Sequence, residues 1–196
     1  MKKSALLFIA LIAGALSLNA QIYMGKHTKI SFFSTTPMEN ISAEDSIATM
    51  ILNAKTGDVM ANINCEGFVF PNALMREHFN ENYMETDKEG TKDANGKPTY
   101  PNKFSSFKGK ISETIDYSKD GTFPITMVGT MKIHNTSQPV TIPGTLIIKN
   151  GAVTIDAKFS VKLVDYNITV PSAVGTKIAE SIDVTVHCEM VNASKK

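Results

Sequence analysis

The feature that most restricts the fold is an alternation of apolar and polar residues at every second position, which begins near Thr28 and returns in run after run to the end of the chain. A period of two sends successive side chains of an extended strand to opposite faces, so each run offers one face to a core and one to water. The runs are rich in Val, Ile, Thr and Phe and are broken by Gly, Asn, Asp and Pro. They predict an all-β chain with strands at about Thr28 to Thr36, Ser46 to Ala54, Gly57 to Phe70, Lys103 to Asp116, Phe123 to His134, Pro139 to Lys149, Ala152 to Asp165 and Lys177 to Val191.

Several connections carry their own turn chemistry. Lys55-Thr56-Gly57-Asp58, Lys119-Asp120-Gly121 and Lys149-Asn150-Gly151 place Gly, Asn or Asp where a tight hairpin needs positive φ, which makes successive strands antiparallel neighbours. Eight such strands with one apolar face fit either a closed barrel or a two-sheet sandwich, and periodicity alone does not choose. The inner parity is clear in the later runs: Phe123, Ile125, Met127, Met131 and Ile133; Val140, Ile142, Leu146 and Ile148; Val153, Ile155, Ala157, Phe159, Val161 and Leu163; Ile182, Val184, Val186, Cys188 and Met190. Val59, Ala61, Ile63 and Cys65 share it in the third strand.

One segment departs from the pattern. After Pro71, Asn72 is placed to cap a short helix running to about Met84, in which Met75, Phe79 and Tyr83 recur at spacings of four on one face. Such a helix would close one end of the β structure. Behind it, Asp87 to Thr99 is charged, rich in loop formers and without an apolar period, which reads as a solvated loop.

The N-terminus carries a different message. Met1-Lys2-Lys3, an apolar stretch from Ala5 to Leu18 and then Leu18-Asn19-Ala20 follow the order of a secretory signal peptide. The expected organisation is therefore a signal peptide over 1–20 and one β domain over 21–196, periplasmic or otherwise exported. The apolar stretch is short for a bilayer span, so no membrane anchor is expected. Without Lys2 and Lys3 the 20 basic residues fall to 18 against 19 acidic, a balance that steers the domain to neither nucleic acid nor anionic membrane. Cys65 and Cys188 both fall on the inner parity; two buried free thiols are the favoured reading, and a pairing between them stays open.

Residue chemistry gives no catalytic constellation. The chain has neither a Gly-x-Ser-x-Gly elbow nor a His-Glu-x-x-His motif. His27, His78, His134 and His187 fall on different elements, and His187 and Cys188 point to opposite faces of their strand, so neither a metal nor another cofactor is expected. The positive signal is the interior. Met127, Met131 and Met190 are flexible and polarizable, and with Phe32, Phe68, Phe79, Phe123 and Phe159 they suit a pocket that adapts to a long apolar chain, although the same residue types also fill ordinary cores.

Three motifs in order resemble those of the YceI-like family. Val128-Gly129-Thr130-Met131-Lys132-Ile133-His134-Asn135-Thr136-Ser137-Gln138-Pro139-Val140 is similar to its glycine-containing hairpin with a Thr-x-x-Pro-Val return. Phe159 to Ile168 is similar to its late segment ending in an aspartate, an aromatic and an aliphatic residue. Leu74 to Met84, followed by Tyr100-Pro101 and Phe104, resembles its short helix and the Tyr-Pro that leads into the next strand. The chain departs from the family in reading Met-Arg-Glu-His-Phe-Asn where many members carry Arg-Asp-x-His-Leu, and in adding residues from about Glu89 to Thr99.

The resemblance implies an eight-stranded antiparallel lipocalin-like barrel capped at one end by a short helix, exported, and binding rather than catalytic. Its lumen would accept a polyisoprenoid, a quinone-like molecule or a fatty-acid derivative, and homodimers are common among relatives. On this reading the lumen is lined by Phe32, Ile63, Cys65, Phe68, Met75, Phe79, Tyr83, Met127, Met131, Ile133, Phe159 and Val161, with Arg76, His78 and Asn80 at the mouth facing a head group. The alternative is a dry-cored β-protein that acts through its outer surface as a stress-response or protein-interaction module.

Overall fold

The computed structural model describes residues 21–170 and 178–193, so the expected signal peptide over 1–20 lies outside the described residues. The strands are β1 (Ile22–Thr35), β2 (Asn40–Asp45), β3 (Thr49–Asn53), β4 (Asp58–Asn64), β5 (Phe104–Ile111), β6 (Gly121–Ile133), β7 (Thr136–Lys149), β8 (Ala152–Lys162) and β9 (Ser181–Asn192). Each pairs antiparallel with its neighbours, and β1 also pairs with β9 from Tyr23↔Asn192 to Phe33↔Asp183. That last pairing closes the sheet and decides for the barrel over the sandwich, with β2 alone keeping an outer edge that meets the chain at the single bridge Glu44↔Val69.

β2 and β3 lie on the same edge of β1 and in one register, Ile30↔Asp45 and Met24↔Ile51, so together they fill a single position of an eight-position barrel. The break between them has a local cause. Asp45 is fully buried and its Oδ1 accepts from the amides of Ile47 and Ala48, both at 2.7 Å, which turns the chain out of the ladder for three residues.

β2 lies outside every predicted strand and β5 ends at Ile111 rather than Asp116, while three other boundaries differ from those predicted for a local reason. β1 starts at Ile22 rather than Thr28, because a β-bulge between Gly25 and His27 shifts the inner parity from Tyr23 to Thr28 and hides the early part of the strand from a period-two reading. The third predicted strand stops at Asn64, whose side chain accepts from Glu66 N at 3.2 Å and starts a 3₁₀ turn over Cys65–Gly67. β8 stops at Lys162 and enters a second 3₁₀ turn, Leu163–Tyr166, ended by Asn167 in the left-handed region.

Asn72 caps helix α1 (Ala73–His78) as its sequence position predicts, its side chain accepting from Leu74 N at 2.8 Å, and the helix continues into a π-helical turn over Phe79–Tyr83. The charged loop behind it is exposed, and it carries a small bridge of its own, Lys92↔Pro98.

The interior divides into two halves. At the end holding the β3–β4 and β7–β8 turns, Tyr23, Leu52, Val59, Leu146, Val153 and Ile155 are each 1 % exposed or less. Burial of one such aliphatic side chain contributes roughly 1.5–3 kcal/mol, so this packed half supplies much of the barrel's stability. Tyr117, in the β5–β6 loop, covers it with its ring centroid 5.8 Å from that of Tyr23. Both cysteines are buried and free: Cys188 Sγ lies 3.2 Å from Thr28 Oγ1, Cys65 Sγ lies 3.3 Å from Ser105 Oγ, and burial pushes both thiols above their ordinary range.

Candidate functional site

The other half of the barrel is hollow, with a cavity of about 500 Å³. Its floor takes one residue from each barrel position. Ile30, Val186 and Ala157 are direct cross-strand partners on β1, β9 and β8, Met50, Ala61 and Phe107 are partners on β3, β4 and β5, and Met127 pairs with Ile142 on β6 and β7. The next inward side chains on four of the strands, Leu52, Val59, Ile125 and Ile155, are buried and do not line the cavity. The walls above the floor continue the period-two faces read from sequence.

The helical segment forms the roof. Because Met75, Phe79 and Tyr83 share one face, all three turn into the cavity. Phe79 joins the roof to the wall: its ring centroid is 5.5 Å from that of Phe32, 5.7 Å from Phe68 and 5.2 Å from Phe70. Aromatic pairs at such distances add about 0.5–1.5 kcal/mol each beyond the area they bury.

The roof is also tied to the rim by polar contacts. Glu85, just after the π turn, lies 3.0 Å from His134 Nε2 in the β6–β7 turn, and His134 Nδ1 lies 3.2 Å from the Tyr166 carbonyl oxygen. Lys88 donates to both Glu85 carboxylate oxygens, at 2.8 and 2.9 Å. The Lys88 ammonium, followed by His134, holds the Glu85 carboxyl below its ordinary range.

All twelve residues expected in the lumen line this cavity. Of the three expected at the mouth, His78 lines it, whereas Arg76 and Asn80 do not, because they lie off the Met75/Phe79 face of the helical segment. Met190 and Phe123, grouped with the pocket residues by type, instead belong to the core without lining the cavity. Reading by pattern missed Ile41, Phe70, Phe107 and Ile168 as lining residues. Ile41 and Ile168 fall outside the predicted strands, so no period pointed to them.

The polar groups of the lining sit toward the open end: Ser34 near the end of β1, Glu39 in the β1–β2 turn, Asn72 and His78 on the cap, and Ser105 and Ser106 at the start of β5. None belongs to the floor. Among the described residues, no group of three His, Cys, Asp or Glu side chains is placed to hold a metal ion.

A closed antiparallel barrel of eight positions with an apolar lumen and a helical cap defines a lipocalin-like protein. The chain belongs to the YceI-like family, whose YceI-like domain matches residues 22–190. Three solved structures are similar to it. A polyisoprenoid binding domain from Saccharophagus degradans, described as implicated in plant cell wall breakdown, has a TM-score of 0.68 at 8 % identity, covering 87 % of this chain and 98 % of its own. Burkholderia cenocepacia BcnA has a TM-score of 0.63 at 15 % identity, covering 83 % and 95 %. The Campylobacter jejuni YceI protein has a TM-score of 0.52 at 13 % identity, covering 96 % and 97 %. Identities this low make these likenesses of fold. No curated protein sequence matches the chain.

Proposed function

We propose that the protein binds one long apolar molecule, a polyisoprenoid, a quinone-like lipid or a fatty-acid derivative, in the hollow half of its barrel and carries it through the periplasm, with residues 1–20 serving as the export signal. The observation that carries this reading is the capped cavity of about 500 Å³, whose floor is apolar throughout and whose walls are largely Phe, Met and aliphatic side chains. Its size falls in the usual range of small-molecule sites. The description of one similar structure as a polyisoprenoid binding domain agrees with it.

Magnitudes decide what governs affinity. Burying ten methylenes is worth about 8 kcal/mol before association costs, against about 1.5–3 kcal/mol for a charge-assisted hydrogen bond to a head group. The tail therefore sets the strength of binding. Glu39, Asn72 and His78 select among head groups, while the exposed Arg76 acts only on a head group that protrudes past the rim and Asn80, its amide oxygen buried off the lining, acts on none.

The reading is of a binding protein and not an enzyme. Cys65, the thiol of the lumen, is pushed above its ordinary range by burial and further by the Asp45 and Glu66 carboxylates, which disfavours the nucleophilic thiolate, and its Sγ faces the Ser105 hydroxyl.

Native mass spectrometry of the protein purified without detergent from a bacterial periplasm tests the proposal. A discrete prenyl or acyl species bound one per barrel is the expected result and names the ligand class. A clean unliganded mass, unchanged after exposure to prenols, quinones and fatty amides, would leave the dry-cored alternative as the better reading.

A further inference from the structure

We infer that the boundary between the filled and hollow halves of the barrel is a stop that sets the length of the bound chain at about three isoprene units. The inference rests on the lumen-binding reading above and deepens it.

Depth gives the length. On β6 the lining runs from Met127 at the floor to Ile133 at the rim, six residue steps. At about 3.3 Å per residue this is about 20 Å along the strand, and a strand tilt of about 40° reduces it to about 15 Å along the barrel axis. A fully extended chain advances about 1.2 Å per bond, the reach of an extended polypeptide divided over its three backbone bonds. The hollow half therefore holds about twelve consecutive bonds, or three prenyl units at four main-chain bonds each.

Polarity gives the direction. The floor is apolar throughout, whereas Glu39, Asn72 and His78 stand at the open end, so the tail enters first and meets Met50 and Met127. Beyond them the chain would have to displace Leu52, Leu146 and Ile155, which are fully buried in a close-packed core. A longer chain leaves its surplus outside, where it gains no burial.

The test is an affinity ladder on the purified protein with prenols of two, three, four and eight isoprene units, read by displacement of a fluorescent fatty acid and checked by native mass spectrometry. Affinity is expected to rise about tenfold or more from two units to three, and by less than threefold from four to eight. Ala157→Leu, which raises the floor, should move the break toward two units. Met127→Ala, which lowers it, should raise the ratio of four-unit to three-unit affinity at least threefold.

A tenfold rise between four and eight units in the unmodified protein would overturn the stop while leaving lumen binding intact. An unmoved break in both variants, each shown to be folded by circular dichroism, would remove the floor residues from that role. Failure of every prenol and of the fatty acid to bind would remove the lumen reading, and the stop with it.

Discussion

His134 stands between two acceptors: its Nε2 lies 3.0 Å from a Glu85 carboxylate oxygen and its Nδ1 lies 3.2 Å from the Tyr166 carbonyl oxygen. Glu85 and Tyr166 belong to different elements, so the one ring holds both against the β6–β7 turn. The ring thereby joins the cap, the β6–β7 turn and the 3₁₀ turn after β8. His134→Ala is expected to cut both ties at once. Amide exchange over residues 79–86 should accelerate about tenfold, with a loss of roughly 1–2 kcal/mol in global stability. Hydrogen-exchange mass spectrometry beside a urea melt would check this, and unchanged protection of the cap would show that Phe79 and its ring contacts hold it alone.

Tyr117 predicts an alkaline limit. Burial of its ring against the packed half of the barrel pushes its phenol up to about 12. A folded-state pKa raised above the unfolded value of about 10 gives stability that is complete below that value and is lost as pH rises toward the folded one. The window is thus pH 10 to 12, and because the ring is partly exposed the loss is on the order of 1–2 kcal/mol. Tyr117→Phe keeps the packing against Tyr23 and should flatten the fall in denaturation midpoint between pH 9.5 and 11.5. An unchanged alkaline limb would assign the effect to Tyr23, whose phenol is also raised by burial.

Gly129 faces Gly109 across β5 and β6, and a Cβ added at Gly129 would lie 2.3 Å from the Lys108 carbonyl oxygen and 2.4 Å from Gly109 Cα. Both obstacles are backbone, so the two strands would have to part. Gly129→Ala is expected to destabilise the barrel by about 2–3 kcal/mol even though alanine has the better strand propensity. A thermal melt lowered by less than about 3 °C would show that the wall yields more easily than a close-packed sheet should.

Phe159, halfway up the cavity wall on β8, gives the functional counterpart. Phe159→Lys should leave the strand paired, since its position is only partly buried and the ammonium can reach toward the mouth, yet should weaken binding of any apolar chain by a hundredfold or more. Fluorescent fatty-acid titration measures it. Full affinity in a folded variant would remove this part of the wall from the site.

Much of the fold could be read because a barrel strand must satisfy two solvents at once. Ile125, Met127, Met131 and Ile133 declare the inner face of β6 in sequence, and the first three are buried and Ile133 half-buried on that face. Asn72 announced the cap for an equally local reason, since the orphan amides of a helix start need a nearby acceptor. Where local order was interrupted, the reading failed: the bulge at Gly25 to His27 hid six residues of β1, and Asp45 and Asn64 ended strands by side-chain contacts that no periodicity encodes.

By itself, then, the amino-acid sequence determined every strand but β2, their inward faces, the cap and the apolar character of the interior, because each of these depends on residues a few positions apart. Tertiary structure alone decided that the sheet closes, through a β1–β9 pairing that brings Thr28 within 3.2 Å of Cys188 across 160 residues. It alone decided which inward side chains meet and which leave a space. Met190 and Met131 are the same residue on the same parity, yet Met190 fills the packed half and Met131 lines the cavity. The difference lies in whether side chains from the other barrel positions reach the axis at that height, and no run of sequence carries that information.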